Sequence, residues 1–379
     1  MEISAFHYGS YPRVGDTREQ QRLRTATEAF QKGGIREAEL TTVRNEVIRE
    51  VMAEQARAGM DAVSDGQVRW HDAVSHRMAR LKGVTTGGLL RYFDTNTYFR
   101  QPVVTGLPEG DGVPSDGAPG GAEMLAMEVK YARAIGSRPV ALSLLGPLTL
   151  SRLSLARDGA ARVPGALFGA LVRMVAEEVG QVAAAGPEMI VIEEPSLLRE
   201  PSAFADLADA LEVIAARKGA ARLLFFASFG DASPLYEKLQ GLPVDGLVLD
   251  LTYSPALSIR VQAAGSRLPL VLGIVDARNT RMEKPAAVAK AAERLLKRAA
   301  PGGAALVASN GLEYLPRDCA AQKLVVLARA RDLLSGKPWE EAVRREAGGG
   351  RRRRIGLRPP KRGRPAAAKR GRPRLPGKG

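Results

Sequence analysis

Several polar side chains follow apolar runs of the sequence, at positions where buried strands would end. Glu193 and Glu194 end the run that starts at residue 189 and precede a proline, and Asp250 ends the run that starts at residue 245. A positioned carboxylate can act as a general acid or base and can bind an ammonium group. We therefore predict that these three carboxylates are catalytic. Two alternatives stay open, since the glutamate pair could form a solvated acidic rim and Asp250 could cap the turn after it.

The elements that must position these residues are eight apolar, strand-like runs separated mostly by helical patterns. Strands that alternate with helices indicate a parallel sheet, and eight of them predict a single (β/α)8 TIM-type barrel. Such barrels carry their active sites at the C-terminal ends of the strands. The predicted strands are 3–10, 60–66, 139–146, 189–195, 222–230, 245–251, 268–276 and 304–310.

The longest interruption of this pattern, roughly 67–138, predicts a lid insertion after the second strand. Its middle is rich in Gly and Pro, a helix is predicted over 123–135, and an aromatic stretch occupies 91–99. A long connection on the catalytic side of a barrel is often functional, although a tolerated surface insertion is the alternative. The aromatic side chains could stack on a planar ligand or form a plain hydrophobic lid core. They are Trp70, Tyr92, Phe93, Tyr98 and Phe99.

Composition restricts the class of protein. Cys319 is the only cysteine, which excludes an intramolecular disulfide and a Cys-rich metal cluster and fits a cytoplasmic location. The sequence has neither a run of about 18 apolar residues nor a secretory signal pattern at its N-terminus. Thirteen of the basic residues, and no acidic residue, lie after position 347, so removing them lowers the net charge from +15 to +2. We predict a near-neutral barrel over 1–345 and a disordered basic tail over 346–379.

Six strings at successive strand ends together resemble the catalytic barrel of cobalamin-independent methionine synthase, especially its short single-barrel form. The resemblance covers roughly 3–335. It implies the barrel fold and a zinc ion that keeps a homocysteine thiolate nucleophilic for methyl transfer from a methylfolate or a corrinoid. The strings are GSYPR at 9–13, SDGQVRWHD at 64–72, LLGPLTL at 144–150, IEEPSL at 192–197, LGIVDARNTRME at 272–283 and NGLEYLPRDCAAQKL at 310–324.

The sequence departs from the family pattern at each zinc-ligand position. Where the resemblance implies His, Cys, Glu and Cys, this chain has Phe226, Ser228, Asp250 and Asn310. Phe has no donor atom, and neutral Ser and Asn are poor zinc ligands. We therefore predict that the zinc site is lost, and no cofactor is predicted in its place.

The amino-acid pocket that the resemblance implies is partly retained. Gly9 and Ser10 match the family, Gln67 replaces a Glu, and Glu193 replaces an Asp. These four residues are the predicted substrate-binding set. Losing one negative charge at Gln67 should weaken the pocket's hold on an ammonium group.

The resulting functional prediction is a methionine-synthase-like S-methyltransferase barrel without zinc, whose methyl donor the sequence does not identify. One alternative is a metal-free lyase or transferase of the same superfamily. Another is a non-catalytic ligand-binding protein that its tail attaches to DNA.

The tail contains the string KRGRP twice, at 361–365 and 369–373. Each copy resembles an AT-hook, which implies binding in the narrow minor groove of A·T-rich DNA through Arg362, Arg364, Arg370 and Arg372. The alternative is a low-complexity polycation that contacts any polyanion weakly.

Overall fold

The computed structural model describes residues 2–106, 120–157, 165–300 and 303–336, so the basic tail and the Gly/Pro-rich middle of the insertion lie outside the described residues. Seven strands form one parallel sheet in the order β1-β10-β9-β8-β7-β6-β4, and β2, β3 and β5 form a second sheet. The strands are β1 (Ile3–Ala5), β2 (Val84–Arg91), β3 (Tyr98–Val104), β4 (Ala141–Leu145), β5 (Leu155–Ala156), β6 (Met189–Glu193), β7 (Arg222–Phe226), β8 (Gly246–Asp250), β9 (Leu270–Val275) and β10 (Ala304–Ala308).

The second barrel position closes the ring with only a few hydrogen bonds. Ala62 forms a parallel bridge with Phe6 beside β1, and Val63 forms one with Val140 beside β4. The amide of His7 donates to the carbonyl of Ala62 at 3.1 Å, and the amide of Val63 donates to the carbonyl of Pro139 at 2.9 Å. All eight predicted strand positions are therefore confirmed, and we call the short pairing at 62–63 the seam.

Alternate residues of these strands face the inside of the ring, because successive side chains of a strand point to opposite faces. They form a compact apolar cluster, as expected for a barrel whose interior is packed rather than hollow. Its members are Phe6, Tyr8, Ala62, Ala141, Met189, Val191, Leu224, Phe226, Val248, Val271, Ala305 and Val307.

Helices cover the outside of the ring and return the chain from one strand to the next. In α6 the buried residues include Leu171, Val175, Val179 and Val182, whose spacing of three or four residues places them on one face. The predicted helix at 123–135 is confirmed. The helices are α1 (Arg22–Gln31), α2 (Glu37–Arg57), α3 (Ser75–Met78), α4 (Gly121–Ile135), α5 (Pro147–Leu153), α6 (Ala166–Ala184), α7 (Phe204–Ala215), α8 (Tyr236–Leu239), α9 (Ala256–Ala264), α10 (Pro285–Leu296) and α11 (Arg317–Leu334).

The insertion after the second barrel position contains an antiparallel hairpin of β2 and β3, to which β5 adds in parallel. Leu90 pairs with Phe99 and Arg91 pairs with Tyr98 next to the turn, so the predicted aromatic stretch forms the hairpin tip. Among the described residues, no helix has the length and apolar character needed to cross a membrane.

Candidate active site at the barrel mouth

A chain of hydrogen bonds crosses the C-terminal ends of the first four barrel positions. The hydroxyl of Ser10 donates to Oε1 of Gln67, and Nε2 of Gln67 donates to the backbone carbonyl of Ser143 at 3.2 Å. Ser143 in turn donates to the carboxylate of Glu193. Gln67 adopts a left-handed backbone conformation, with φ of 52°, which is uncommon for a residue other than glycine. The structure therefore brings together three of the four predicted substrate-binding residues, and Gly9 precedes them directly.

Glu193 is enclosed by protein on most sides. Burial raises the pKa of Glu193 from 4.5 to about 7, against the opposing effect of the hydrogen bond from Ser143. Near neutral pH the side chain therefore exists both as a carboxylate and as a neutral acid, which is the condition for a group that gives and takes a proton.

Glu194 points away from Glu193 and caps a helix. Its carboxylate accepts hydrogen bonds from the amide of Leu148 at 2.9 Å and from both the amide and the hydroxyl of Thr149, at 2.7 and 2.6 Å. These groups lie at the N-terminus of α5, where unpaired amides favour a negative charge. A Cβ atom at Gly146 would lie 2.2 Å from Oε1 of Glu194, so the glycine is needed for this contact. The geometry favours a positioning role for Glu194 over the predicted catalytic one.

Asp250 is also engaged by its neighbours. One carboxylate oxygen accepts from the amide and hydroxyl of Thr252 and from the amide of Tyr253, at 2.8–2.9 Å. The other oxygen accepts from Asn310 at 3.3 Å and from Arg278 at 3.5 Å. Burial raises the pKa of Asp250 despite these contacts. The turn-capping alternative for Asp250 thus matches its hydrogen bonds.

The four positions at which the resemblance implies zinc ligands lie at or just after the ends of β7, β8 and β10 and offer few donors. Phe226 is fully buried in the barrel interior, with its ring 6.3 Å from the ring of Tyr8. Ser228 is fully buried and its hydroxyl has no hydrogen-bond partner, while Asn310 donates to Asp250. Within the described residues no group of three or more His, Cys, Asp and Glu side chains could hold a metal ion.

Two neighbouring cavities lie at the mouth of the barrel and share part of their lining. The inner cavity, of about 40 Å³, is bordered by Ser10, Gln67, Ser143 and Glu193. The outer cavity, of about 330 Å³, opens beside it towards the hairpin. Both are bordered by Ser10, Gln67, Trp70, Tyr92, Glu313 and Tyr314.

Comparison with known proteins agrees with this architecture. The family model for the N-terminal domain of cobalamin-independent synthase matches residues 5–99 and 76–300. The chain belongs to this family. A 5-methyltetrahydropteroyltriglutamate–homocysteine methyltransferase from Ralstonia pickettii is 31% identical over 306 residues, which are 73% of this chain and 38% of that protein. The protein of the same name from Burkholderia pseudomallei strain K96243 is 32% identical over 311 residues, with the same coverage.

The chain therefore spans about 38% of the length of these synthase relatives. Among solved structures, a B12-independent methionine synthase from Shewanella sp. W3-18-1 in complex with selenomethionine superposes with a TM-score of 0.70 at 18% identity, covering 92% of this chain and 99% of that one. A structure from Listeria monocytogenes, described as a B12-independent methionine synthase, gives 0.65 at 17% identity, covering 88% and 99%. At these identities the likeness confirms the synthase-type barrel fold.

Two polar residues of this synthase-family barrel border the outer cavity and were not predicted as site residues. Glu313 faces both cavities, and the surrounding protein raises its pKa above the ordinary value. Arg13 borders the outer cavity. Both occur in the strings that carry the family resemblance. The position of Glu313 depends on packing. A Cβ atom at residue 311 would lie only 2.2 Å from a carboxylate oxygen of Glu313, so the side chain fits only because residue 311 is glycine.

The hairpin tip covers the mouth of the synthase-family barrel. Phe93 stacks on Phe229 with ring centres 5.5 Å apart and an angle of 7° between the planes. Both residues have left-handed φ values, 48° and 59°, which are costly for bulky side chains. Asp94 accepts a hydrogen bond from the hydroxyl of Tyr253 on the far side of the ring. The predicted aromatic lid therefore contacts the strand ends directly.

Proposed function

We propose that this chain is a methionine-synthase-like S-methyltransferase barrel that binds an amino-acid thiol at its mouth and works without zinc of its own. The observation that carries the proposal is the hydrogen-bonded set of Ser10, Gln67, Ser143 and Glu193 beside the inner cavity. The relatives named as homocysteine methyltransferases support the reaction class.

The polar groups of the inner cavity suit the two ends of an amino acid. The carboxylate form of Glu193 would bind the ammonium group. Ser10 would donate its single hydroxyl proton to the carboxylate of the ligand in place of Oε1 of Gln67. Gln67 is neutral and already accepts from Ser10 and donates to Ser143, so it orients both partners. Binding of selenomethionine by the related Shewanella protein supports this class of ligand.

The residues present do not fit a zinc ion. Tetrahedral zinc needs about four sulfur, nitrogen or carboxylate donors at roughly 2.0–2.3 Å. Of the four family positions, Phe226 supplies no donor atom and Asp250 is already held by neighbouring amides and side chains. The zinc-free proposal therefore requires a protein base for the thiol. Glu313 is suited to this role because it borders both cavities and the surrounding protein raises its pKa to about 7.

A binding experiment tests this function. We expect homocysteine and methionine to bind the wild-type chain, and Glu193→Ala to lower the affinity at least tenfold while thermal stability changes little. Isothermal titration on protein dialysed against a chelator measures this, and elemental analysis of the purified protein before dialysis should find well below one zinc per chain. Glu212→Ala is a matched control, because Glu212 is an exposed glutamate of α7.

Two results would count against the proposal. Loss of homocysteine binding on chelation, with recovery on adding zinc, would show a metal site in this chain. Equal affinity of Glu193→Ala and wild type for homocysteine would remove the inner cavity as the amino-acid site.

A further inference from the structure

The walls of the outer cavity are aromatic. Trp70, Tyr92, Tyr98, Phe99 and Tyr314 all border it. The rings of Tyr92 and Phe99 lie 6.2 Å apart at an angle of 85°, so the pair presents ring surfaces at right angles. In this edge-to-face contact the two rings do not form a parallel slot for a flat group. Faces of aromatic rings attract cations, and cages of such rings bind quaternary ammonium groups.

The same cavity contains a guanidinium group that lacks an acidic partner. Nη1 of Arg13 donates to the backbone carbonyls of Trp70 and, at 3.4 Å, of Val68. Among the described residues, no carboxylate lies within 4.0 Å of Arg13. A partly buried guanidinium is a strong site for a carboxylate, which it can bind through two parallel hydrogen bonds.

Glu313 supplies negative charge to the same cavity, and its charge acts more strongly on Arg13 than that of any other carboxyl group. The carboxyl group of Glu313 faces the space between the inner and outer cavities. Asp72 also borders the outer cavity, but its oxygens already accept hydrogen bonds from Val74, Ser75 and Arg100. Glu313 is therefore the available counter-charge for a cation held by the rings.

We propose that the outer cavity binds a small zwitterion that carries a carboxylate, held by Arg13, and a methylated sulfonium or quaternary ammonium group, held by the aromatic walls and Glu313. This proposal rests on the proposed function and names its methyl donor by class. The cavity of about 330 Å³ lies at the small end of the range for ligand pockets, roughly 300–1,000 Å³, so it suits a small molecule.

A donor of this class balances the reaction without a metal. The carboxylate of Glu313 takes the proton from the acceptor thiol, and the thiolate sulfur attacks a methyl carbon of the onium group. The bond from that carbon to the positive sulfur or nitrogen breaks, and its electron pair stays on the departing atom. The products are a methyl thioether, a neutral sulfide or amine that keeps its carboxylate, and protonated Glu313. The two cavities share Ser10, Gln67 and Glu313, so donor and acceptor would meet at their junction.

Titration of the full chain with matched probes tests the ligand class. Glycine betaine and dimethylsulfoniopropionate carry both charges, 3,3-dimethylbutanoate replaces the ammonium of betaine by a neutral carbon, and choline lacks the carboxylate. We expect the two zwitterions to bind at least tenfold more tightly than 3,3-dimethylbutanoate and choline. Dimethylsulfoniopropionate with homocysteine should also yield methionine, detected by mass spectrometry.

Variants assign the two contacts. Tyr98 borders the cavity and is 58% exposed, so replacing it should leave the fold intact. Tyr98→Leu should weaken betaine binding about threefold to tenfold, whereas Tyr98→Phe keeps the ring and should bind as wild type does. Arg13→Gln should weaken betaine binding at least tenfold and leave choline binding unchanged.

Equal binding of betaine and 3,3-dimethylbutanoate would overturn the proposal, because the cavity would then recognise shape and not charge. So would betaine binding that neither Tyr98→Leu nor Arg13→Gln alters. If homocysteine still binds in a Glu193-dependent way when betaine does not bind at all, the donor assignment fails and the proposed function stands.

Discussion

Glu193 and Glu194 are neighbours in the sequence and have different environments in the fold. Glu193 faces the cavity and receives a hydrogen bond from Ser143, whereas Glu194 is fully buried and accepts its hydrogen bonds from α5. Alternation along a strand explains the divergence, because successive side chains point to opposite sides. The pair is therefore better described as one ligand-facing acid and one helix cap.

The raised pKa of Glu193 predicts a dependence of stability on pH. Between pH 4.5 and about 7 the folded chain keeps a proton that the unfolded chain has released, so stability falls as pH rises and then levels off. Glu193→Gln should lack this contribution, since the amide does not titrate. We expect the wild type to lose on the order of 1–3 kcal/mol relative to Glu193→Gln over this range. Chemical denaturation at several pH values measures it.

Glu212→Gln provides the control for that series, because Glu212 is exposed and should give a pH profile parallel to the wild type. If the profiles of wild type and Glu193→Gln run parallel instead, the side chain titrates as in the unfolded chain, and the raised pKa of Glu193 loses support.

Sequence reasoning located the strand-end residues but not their contacts. Ser10, Gln67 and Glu193 could be predicted together because parallel strands end at one face of a barrel. Arg13 and Glu313 could not, since their value as ligand contacts depends on the absence of nearby carboxylates and on the space left by Gly311. Both properties arise from tertiary packing.

At the scale of elements, the hairpin of β2 and β3 is the feature that the sequence describes least well. The insertion and its helix were predicted, but the two strands were not, because β2 includes consecutive glycines and is mostly exposed. An exposed strand has no buried face to produce the alternation that identifies strands. The eight barrel strands, by contrast, are buried and end at polar turns, which made them predictable.

The hydrogen bond from Tyr253 to Asp94 should restrain the hairpin tip. Tyr253→Phe removes this bond and keeps the ring, which lies 4.1 Å from the guanidinium carbon of Arg278. We expect amide exchange at 92–99 to become several-fold faster, since one hydrogen bond contributes about 0.5–1.5 kcal/mol. Hydrogen exchange with mass spectrometry measures this.

Tyr98→Phe is the matched control for the hairpin, because it removes a hydroxyl from the same exposed region without touching Asp94. Global unfolding should be the same in both variants. If Tyr253→Phe leaves exchange at the tip unchanged, the aromatic stack of Phe93 on Phe229 alone holds the lid in place.

At the scale of the whole molecule, we propose that residues 346–379 bind nucleic acid. The positive charge after position 347 should give an affinity for duplex DNA that falls as the salt concentration rises. A plot of log K against the logarithm of the salt concentration should have a slope of about −0.9 for each neutralised phosphate. A chain that ends at Gly348 should lose this affinity and keep homocysteine binding. Fluorescence anisotropy over a salt series measures it.

Preference for A·T-rich over G·C-rich duplexes separates minor-groove hooks from a generic polycation, because a narrow groove concentrates negative potential. Replacing Arg364 and Arg372 by Lys removes the guanidinium groups and keeps the charge. It should therefore abolish the preference for A·T-rich duplexes and leave the salt dependence in place. Equal affinity of the wild type for both duplexes would leave only nonspecific attraction.

The seam at 62–63 lies next to the residues at the mouth of the barrel, so ligand binding there would affect the stability of the barrel. The backbone bridges there are few. Two hydrogen bonds near the site also join the first and second barrel positions. The hydroxyl of Ser64 donates to the carbonyl of Gly9 at 2.7 Å, and the amide of Tyr11 donates to the carbonyl of Gly66 at 3.1 Å. A ligand that contacts both Ser10 and Gln67 would bridge the first and second barrel positions, where the backbone pairing is short. Ligand binding would then raise the free energy of unfolding of the barrel, by about 2.7 kcal/mol at a ligand concentration one hundred times Kd. A bound ligand would in this way slow proteolysis of the chain.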